Sequence, residues 1–312
     1  MLIETHPSRC PRCKPNDKDP IIARGNDFEY KTCSNEFSFR FCRPCKILYL
    51  DPQPEGSAIP TLYPESYEPY CFHQLPRLIG IARSLVQRKK VTAISDLVGS
   101  RAKILDIGCG NGTLLKLLVR FGSPDWEIYG QESNLRTVER LRVEGLRVHS
   151  CNLEKLALKG HFDLVILNQV IEHVGDVPAL LKQIGYLLKP DGILFVETPS
   201  FEGLDARLFR ARYWGGYHFP RHWYLFNQDS LACMLGQSGY RVIKTNYLAS
   251  PAFWIQSFHH LLADKGWDFL SRLFRIQNPI LLAAFTSFDL AAIFTGRKTS
   301  NFRMVAQRRD EC

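Results

Sequence analysis

Lys103 to Ile107 is a short apolar run that breaks into Asp106-Ile107-Gly108-Cys109-Gly110-Asn111-Gly112 and then into a helical pattern of leucines. Glycines at these positions let the backbone turn sharply and approach a ligand that side chains would block. The spacing separates two ligands. A dinucleotide loop, G-x-G-x-x-G, needs glycine at 113, where Thr113 stands. An acid two residues before the first glycine suits a ligand bearing an ammonium and a sulfonium, and is out of place beside a pyrophosphate. Asp106, Gly108, Cys109, Gly110 and Gly112 are therefore candidate cofactor residues. Glu132, past the second strand, can accept from both hydroxyls of a ribose. Asn152, past the third, can offer its amide to an adenine edge, with Leu153 and Cys151 packing on the ring. Asn168, at the end of the fourth, joins this set.

A second constellation lies at the N-terminus. Cys10-Pro-Arg-Cys13 and Cys42-Arg-Pro-Cys45 are two C-x2-C knuckles with 28 residues between them. Four thiolates close a tetrahedral zinc site, and a module with so few aliphatic residues needs such a staple. Cys33 is a substitute ligand without a knuckle partner. Phe37, Phe39, Phe41 and Tyr49 read as the module's own packing rather than a base-stacking platform.

The elements that hold these residues fall into a zinc ribbon over 1–50, a linker and amphipathic helix over 51–100, and an α/β domain over 101–312 with a helical insertion at 249–300. Strands are expected at Lys103–Ile107, Trp126–Gln131, Leu146–Ser150, Phe162–Leu167 and Ile193–Glu197, with helices between them. Gly122 should close the first helix in the position glycine favours. Asp176 should cap a later one, with Lys189-Pro190-Asp191-Gly192 as its stop. Such alternation gives a parallel sheet covered on both faces. Strands near 241–248 and 302–307 suit a hairpin whose tip has been expanded.

Residues 101–200 resemble the class I S-adenosylmethionine (SAM)-dependent methyltransferases, most closely the branch that includes ubiquinone-biosynthesis-type enzymes. The matching segments are ILDIGCGNG (104–112), YGQES (129–133), FDLVILNQVIEHV (162–174) and LLKPDGILFVETP (187–199). The resemblance implies a Rossmann-like seven-stranded sheet whose last strand is antiparallel. It also implies that Asp106 and the glycines hold the methionine part of SAM, Glu132 the ribose and Asn152 the adenine, although many members carry aspartate at the last position. The ribbon ending in Phe41 to Tyr49 ahead of such a core resembles an arrangement found in polysaccharide, sugar and natural-product biosynthesis.

Methyl transfer from a sulfonium is an in-line displacement, and a hydroxyl or carbon acid must also lose its proton. Two segments could supply the base: Glu172-His173, and the run from Tyr213 to Phe226. His218, His222 and His173 are the candidate catalytic residues. Trp214, Tyr217 and Tyr224 could wall a substrate ring, and Arg221 could pair with a substrate phosphate. The alternative is a packed aromatic loop whose histidines donate to backbone carbonyls. His259 and His260 belong to the surface or core of the insertion.

The chain of 312 residues carries a formal charge of +9, which favours an anionic partner without specifying one. The densest basic cluster, Arg83, Arg88, Lys89 and Lys90, reads as the wet face of a helix. Ten cysteines with no apolar leader point to a reducing, cytoplasmic setting. Ile280 to Phe294 is shorter than a membrane span and is interrupted by Asp289, so only peripheral membrane contact is open to it. The expected function is SAM-dependent methylation of a small molecule, a sugar or nucleotide sugar foremost, with nucleic acid not expected as a partner. The rivals are an RNA methyltransferase that docks through its ribbon and a non-catalytic SAM-binding protein.

Overall fold

The computed structural model describes residues 1–13, 18–64, 67, 77–151, 153–156 and 158–309, with backbone only for 77–87 and Glu154. The N-terminal residues build two small sheets. β1 (Thr5–His6) pairs antiparallel with β5 (Gln53–Pro54), and β2 (Ile21–Gly25), β3 (Phe37–Cys42) and β4 (Ile47–Asp51) form an antiparallel meander. A short helix α1 (Ile59–Leu62) and a long one, α2 (Arg77–Val98), lead into the larger half.

Strands and helices then alternate: β6 (Lys103–Ile107), α3 (Thr113–Phe121), β7 (Glu127–Gln131), α4 (Leu135–Val143), β8 (Arg147–His149), β9 (Phe162–Asn168), α5 (Val177–Leu187) and β10 (Leu188–Pro199). Next come α6 (Leu204–Leu208), β11 (Tyr224–Leu225), α7 (Gln228–Gln237) and β12 (Tyr240–Leu248). The insertion supplies α8 (Pro251–Asp264), α9 (Asp268–Ser271) and α10 (Pro279–Phe294), and β13 (Asn301–Arg308) follows it.

Seven strands form the main sheet in the order β12-β13-β10-β9-β6-β7-β8. β6 to β10 are mutually parallel, and β13 runs antiparallel to both β10 and β12. This is the expected doubly wound sheet with its expanded final hairpin. Alternation along the strands sends Leu105, Ile107, Val165 and Leu167 into one apolar layer and Ile104, Leu164 and Ile166 into the other. Both layers are buried at β9, which is why Leu164 to Leu167 reads as an unbroken apolar run.

Three local expectations need correction. α5 does stop at Leu187, just before Lys189–Gly192, but the strand expected from Ile193 already begins at Leu188. The Lys189–Gly192 segment is an irregularity inside β10, where the register with β9 shifts between Leu188 and Ile193. Gly122 does cap α3, but at φ −82° rather than in the left-handed region. What requires glycine there is space, since a Cβ would lie 2.3 Å from the Trp126 ring. Lys90 is not on a wet face: its ammonium sits between Asn168, 2.9 Å away, and Glu197. The side chain of Arg83 lies outside the described residues.

The smaller meander is not separate from the sheet's loops. β11, inside the aromatic run, pairs antiparallel with β4 through Tyr224–Tyr49 and Leu225–Leu48, extending the meander to four strands. Phe37, Phe39, Leu48 and Leu50 share one apolar cluster with Trp214, Tyr217 and Phe219.

Candidate active site

The carboxyl ends of β6, β7 and β9 open onto a crevice of about 380 Å³ lined by Gly108, Gln131, Glu132, Ser133, Leu153 and Val170. That is a ligand-sized volume where open α/β sheets bind ligands. Gly108 (φ 66°), Gly110 (φ 50°) and Gly112 (φ 71°) all sit in the left-handed region. At Gly108 a Cβ would also meet Val170 Cγ2 at 2.8 Å, so the cradle is built to lack side chains.

Glu132 is buried and organises this loop. One carboxylate oxygen accepts from the backbone N–H groups of Ser133 (2.8 Å) and Asn134 (2.9 Å), the other from Gly110 N–H at 3.0 Å. Two oxygens with roughly four lone-pair positions leave capacity for a ligand hydroxyl. Leu153 lines the crevice, and Asn152 lies outside the described residues. Cys109 contributes only backbone, because its side chain is buried against Leu115, Leu141 and Val148. Asn168 Oδ1 accepts from the Lys90 ammonium at 2.9 Å. Gln131, which the motif reading passed over, lines the crevice and donates to Cys151 O at 3.2 Å.

Asp106 is 2% exposed. Burial pushes its pKa up to about 7; the Lys90 ammonium opposes this, and the carboxylates of Glu132 and Glu197 reinforce it. Glu197 differs: burial alone would raise it, but Lys90 and Arg303, the latter at 2.6 Å, hold it below the carboxylate range. Asp106 is thus a buried acid in want of a cation.

The aromatic run resolves differently from its expectation. Trp214, Tyr217 and Tyr224 are all buried and do not wall a substrate space. Trp214 Nε1 donates to Asp205 at 2.9 Å, Tyr217 donates to Arg210 O at 2.6 Å and stacks on Phe39, and Tyr224 donates to Gly175 O at 3.1 Å. Arg221 does not reach for a phosphate either. Its guanidinium is fully buried and bidentate on Asp27 at 2.9 and 3.0 Å, while Nε donates to Leu62 O at 2.8 Å. The loop packs on the N-terminal module instead, and no local signal near residue 221 could have named a partner 194 positions away.

Asp27 is the organiser of that contact. It also accepts from Tyr30 N–H (3.0 Å) and from Thr32 N–H (2.8 Å), which fixes the loop carrying Glu29. Burial alone would raise the Asp27 pKa, but Arg221 pulls it down to about 2. A depressed carboxyl adds stability above the unfolded pKa and loses it as pH falls toward the folded one, here between about pH 4 and pH 2. Asp27→Asn leaves a buried guanidinium uncompensated and should lower unfolding free energy by about 3 kcal/mol in urea melts at neutral pH. An unchanged denaturation midpoint would refute that reading.

Three histidines meet beside this ion pair. The ring of His173 lies 4.7 Å from His222 and 6.2 Å from His218, and His218 lies 4.9 Å from His222. Their environments differ. His222 donates from Nδ1 to Gly216 O at 2.8 Å, and His173 Nδ1 is 3.0 Å from Arg221 O. Burial, with the other imidazoles adding to it, pushes His173 down to about 3 and His222 well below the ordinary range. Glu172 between them is fully buried; Thr198 Oγ1 is 2.9 Å from one oxygen, the other has no partner among the described residues, and burial lifts its pKa to about 8. Glu172 and His173 sit in the short helical turn between Val170 and Val174, both of which line the crevice.

Of the three histidines, His218 is the one hydrogen-bonded to a carboxylate among the described residues. Its Nδ1 lies 2.7 Å from Glu29 Oε1, and Gln256 of α8 donates to the other Glu29 oxygen at 3.2 Å. Its backbone sits at φ 41°, a strained position for a residue with a Cβ, of the kind that clusters at functional sites. Glu29 comes from the N-terminal module, and nothing in its own sequence neighbourhood marked it.

Cys10, Cys13, Cys42 and Cys45 bring their sulfurs within 4.8 Å of one another. Cys13 and Cys42 are 3.4 Å apart, and burial raises the thiols of Cys10 and Cys42. Four sulfurs at this separation match the needs of one tetrahedral ion. Cys33 belongs to a different cluster, among Phe37, Phe39 and Leu62. His260, at 3% exposure, is a core residue that stacks on Phe28, and His259 Nδ1 is 2.9 Å from Ser271 O.

Sheet order, glycine cradle and acid together define a class I methyltransferase core. Comparison with known proteins agrees. A family profile described as methyltransferase domain matches residues 73–245, and the chain belongs to that family. It is 33% identical over 184 residues to the ubiquinone biosynthesis O-methyltransferase of Mesorhizobium japonicum, covering 53% of this chain and 73% of that one. The corresponding Bartonella bacilliformis protein is 35% identical over 103 residues, which is 31% of this chain. The chain spans 40% of the length of that relative. Among solved structures, a chain of the complex between the Haloferax volcanii Trm112 methyltransferase activator and a methyltransferase shares the fold, with TM-score 0.50 and 12% identity over 76% of this chain and 94% of that one.

Proposed function

We propose that the enzyme methylates a hydroxyl or an acidic carbon of a small molecule and that His218 is the general base. The Glu29–His218 pair carries this reading. A carboxylate on Nδ1–H fixes the tautomer in which Nε2 keeps its lone pair, and it stabilises the imidazolium formed when that nitrogen takes a proton. His173 and His222 are far weaker bases, since burial penalises their cations. SAM, when bound, supplies an electrophilic methyl on sulfonium. The chain's part is to hold it, exclude water and remove the acceptor's proton. The relatives named as O-methyltransferases support an oxygen acceptor. A sugar hydroxyl fits this class; the phosphate of a nucleotide sugar has lost its expected partner, because Arg221 is committed to Asp27.

Within the crevice we assign Asp106 to the ligand's ammonium and Glu132 to its ribose. Native Asp106 holds its proton more tightly than the unfolded chain, so the ligand-free fold loses stability as pH rises from about 4 to 7. The ammonium needs the ionised acid, so SAM should bind about tenfold more tightly at about pH 7.5 than at about pH 6. Calorimetry on wild type and Asp106→Asn reads this; a pH dependence that persists in the variant would sink the assignment. We also infer that the four clustered cysteines hold one structural zinc ion.

The test of the acceptor reading is transfer of labelled methyl from SAM across a panel of hydroxyl, carbon-acid and amine acceptors. Transfer to hydroxyl or carbon acceptors, abolished in His218→Gln with SAM affinity intact, is the expected result. Transfer confined to amines would overturn the acceptor class.

A further inference from the structure

The insertion leaves an unusual surface. α10 is apolar on every side, yet among its described side chains only Asp289 is buried. Asp289 ties the inner face down, accepting from Ser250 N–H at 2.7 Å and Trp254 Nε1 at 3.0 Å, while Phe285 stacks on Trp254 at 5.4 Å. The outer face follows the helical period through Ile280, Ala284, Ser287, Ala291 and Phe294, with Leu290 alongside, all exposed and none charged. It runs for about 21 Å at 1.5 Å per residue. Ile280 and Phe294 are 76% and 92% exposed. The turn before it adds Phe269, 77% exposed, and Leu273, 50% exposed. An open apolar stripe of this length marks an interaction surface.

Charge narrows the occupant. Arg272 and Arg275 precede the stripe and Arg297 follows it, all exposed and without an acidic partner within 4.0 Å among the described residues. Lys265 and Lys298 extend the basic ends, Lys298 paired with Glu202, and Asp268 is the one exposed acid between them. Pairing of two copies along this stripe, in either direction, sets cations against cations. An anionic lipid surface satisfies both features at once: acyl chains take the apolar stripe and headgroups take the arginines at its ends. No helix among the described residues is long and apolar enough to cross a membrane, so this contact lies in the interface plane.

We propose that the outer face of α10, with the α9 turn, docks the enzyme on anionic membrane. α8 carries the stripe on one side and Gln256 to Glu29 on the other, so docking brings the acceptor side of the site close to lipid. The experiment is vesicle sedimentation of the full chain with phosphatidylcholine alone and with phosphatidylcholine mixed with phosphatidylglycerol. Binding is expected to the anionic vesicles only, and to weaken by about tenfold or more both in Ile280→Ser/Phe294→Ser and in Arg272→Glu/Arg275→Glu. SAM affinity monitors folding; should the serine variant lose it, the arginine variant decides. Three results overturn the proposal: no binding of wild type to anionic vesicles, equal binding by the deciding variant, or a concentration-dependent dimer in sedimentation velocity that the serine variant dissolves.

Discussion

Cys42→Ser, or prolonged chelation of the native protein, should collapse the N-terminal half and abolish turnover. Structural zinc supplies roughly 10–16 kcal/mol in small cysteine modules, as much as the whole stability of an ordinary domain. Here the sulfurs are also wired into the main core. Cys10, Cys42 and Cys45 pack in the same cluster as Leu231, Met234 and Tyr240, so losing the proposed ion would leave desolvated sulfurs inside that core. The measurement is metal content by mass spectrometry alongside thermal unfolding. About one zinc per chain, and a midpoint that falls steeply when it is stripped, are expected. A metal-free protein with an unchanged midpoint and full activity would show that the cysteines merely pack.

The second large effect concerns proton removal. His218→Ala should lower kcat by about 10²–10⁴ while leaving SAM affinity unchanged, which is what loss of a general base removes. Glu29→Gln should lower kcat less, because the imidazole loses the carboxylate that fixes its tautomer, and should leave KM for SAM unchanged. Glu29→Asp should recover part of the rate. A merely structural glutamate would alter stability without this fall in kcat at constant KM. If both glutamate variants keep the wild-type kcat, the pair has no role in the chemistry.

The difference between what could and could not be read from sequence follows from contact distance. The strand at 103–107, the glycine cradle and the cap at Asp176 are set by neighbours within a few residues, where propensity and backbone geometry dominate. The paired knuckles announced the cysteine cluster in the same way. The aromatic run misled because composition does not say which face a ring presents. Trp214, Tyr217 and Arg221 look like a binding wall in one dimension, and they are core because Asp27, Phe39 and Leu62 arrive from far up the chain. Glu29 was invisible for the same reason, 189 positions from the imidazole it faces.

The shared sheet formed by residues 48–49 and 224–225 has a practical meaning for anyone who re-engineers this enzyme. A truncation after residue 50 would take away the carboxylate of His218, orphan the buried guanidinium of Arg221 and bare the edge of β11. Grafting the glycine-loop half alone onto another scaffold would carry His218 without the carboxylate that faces it.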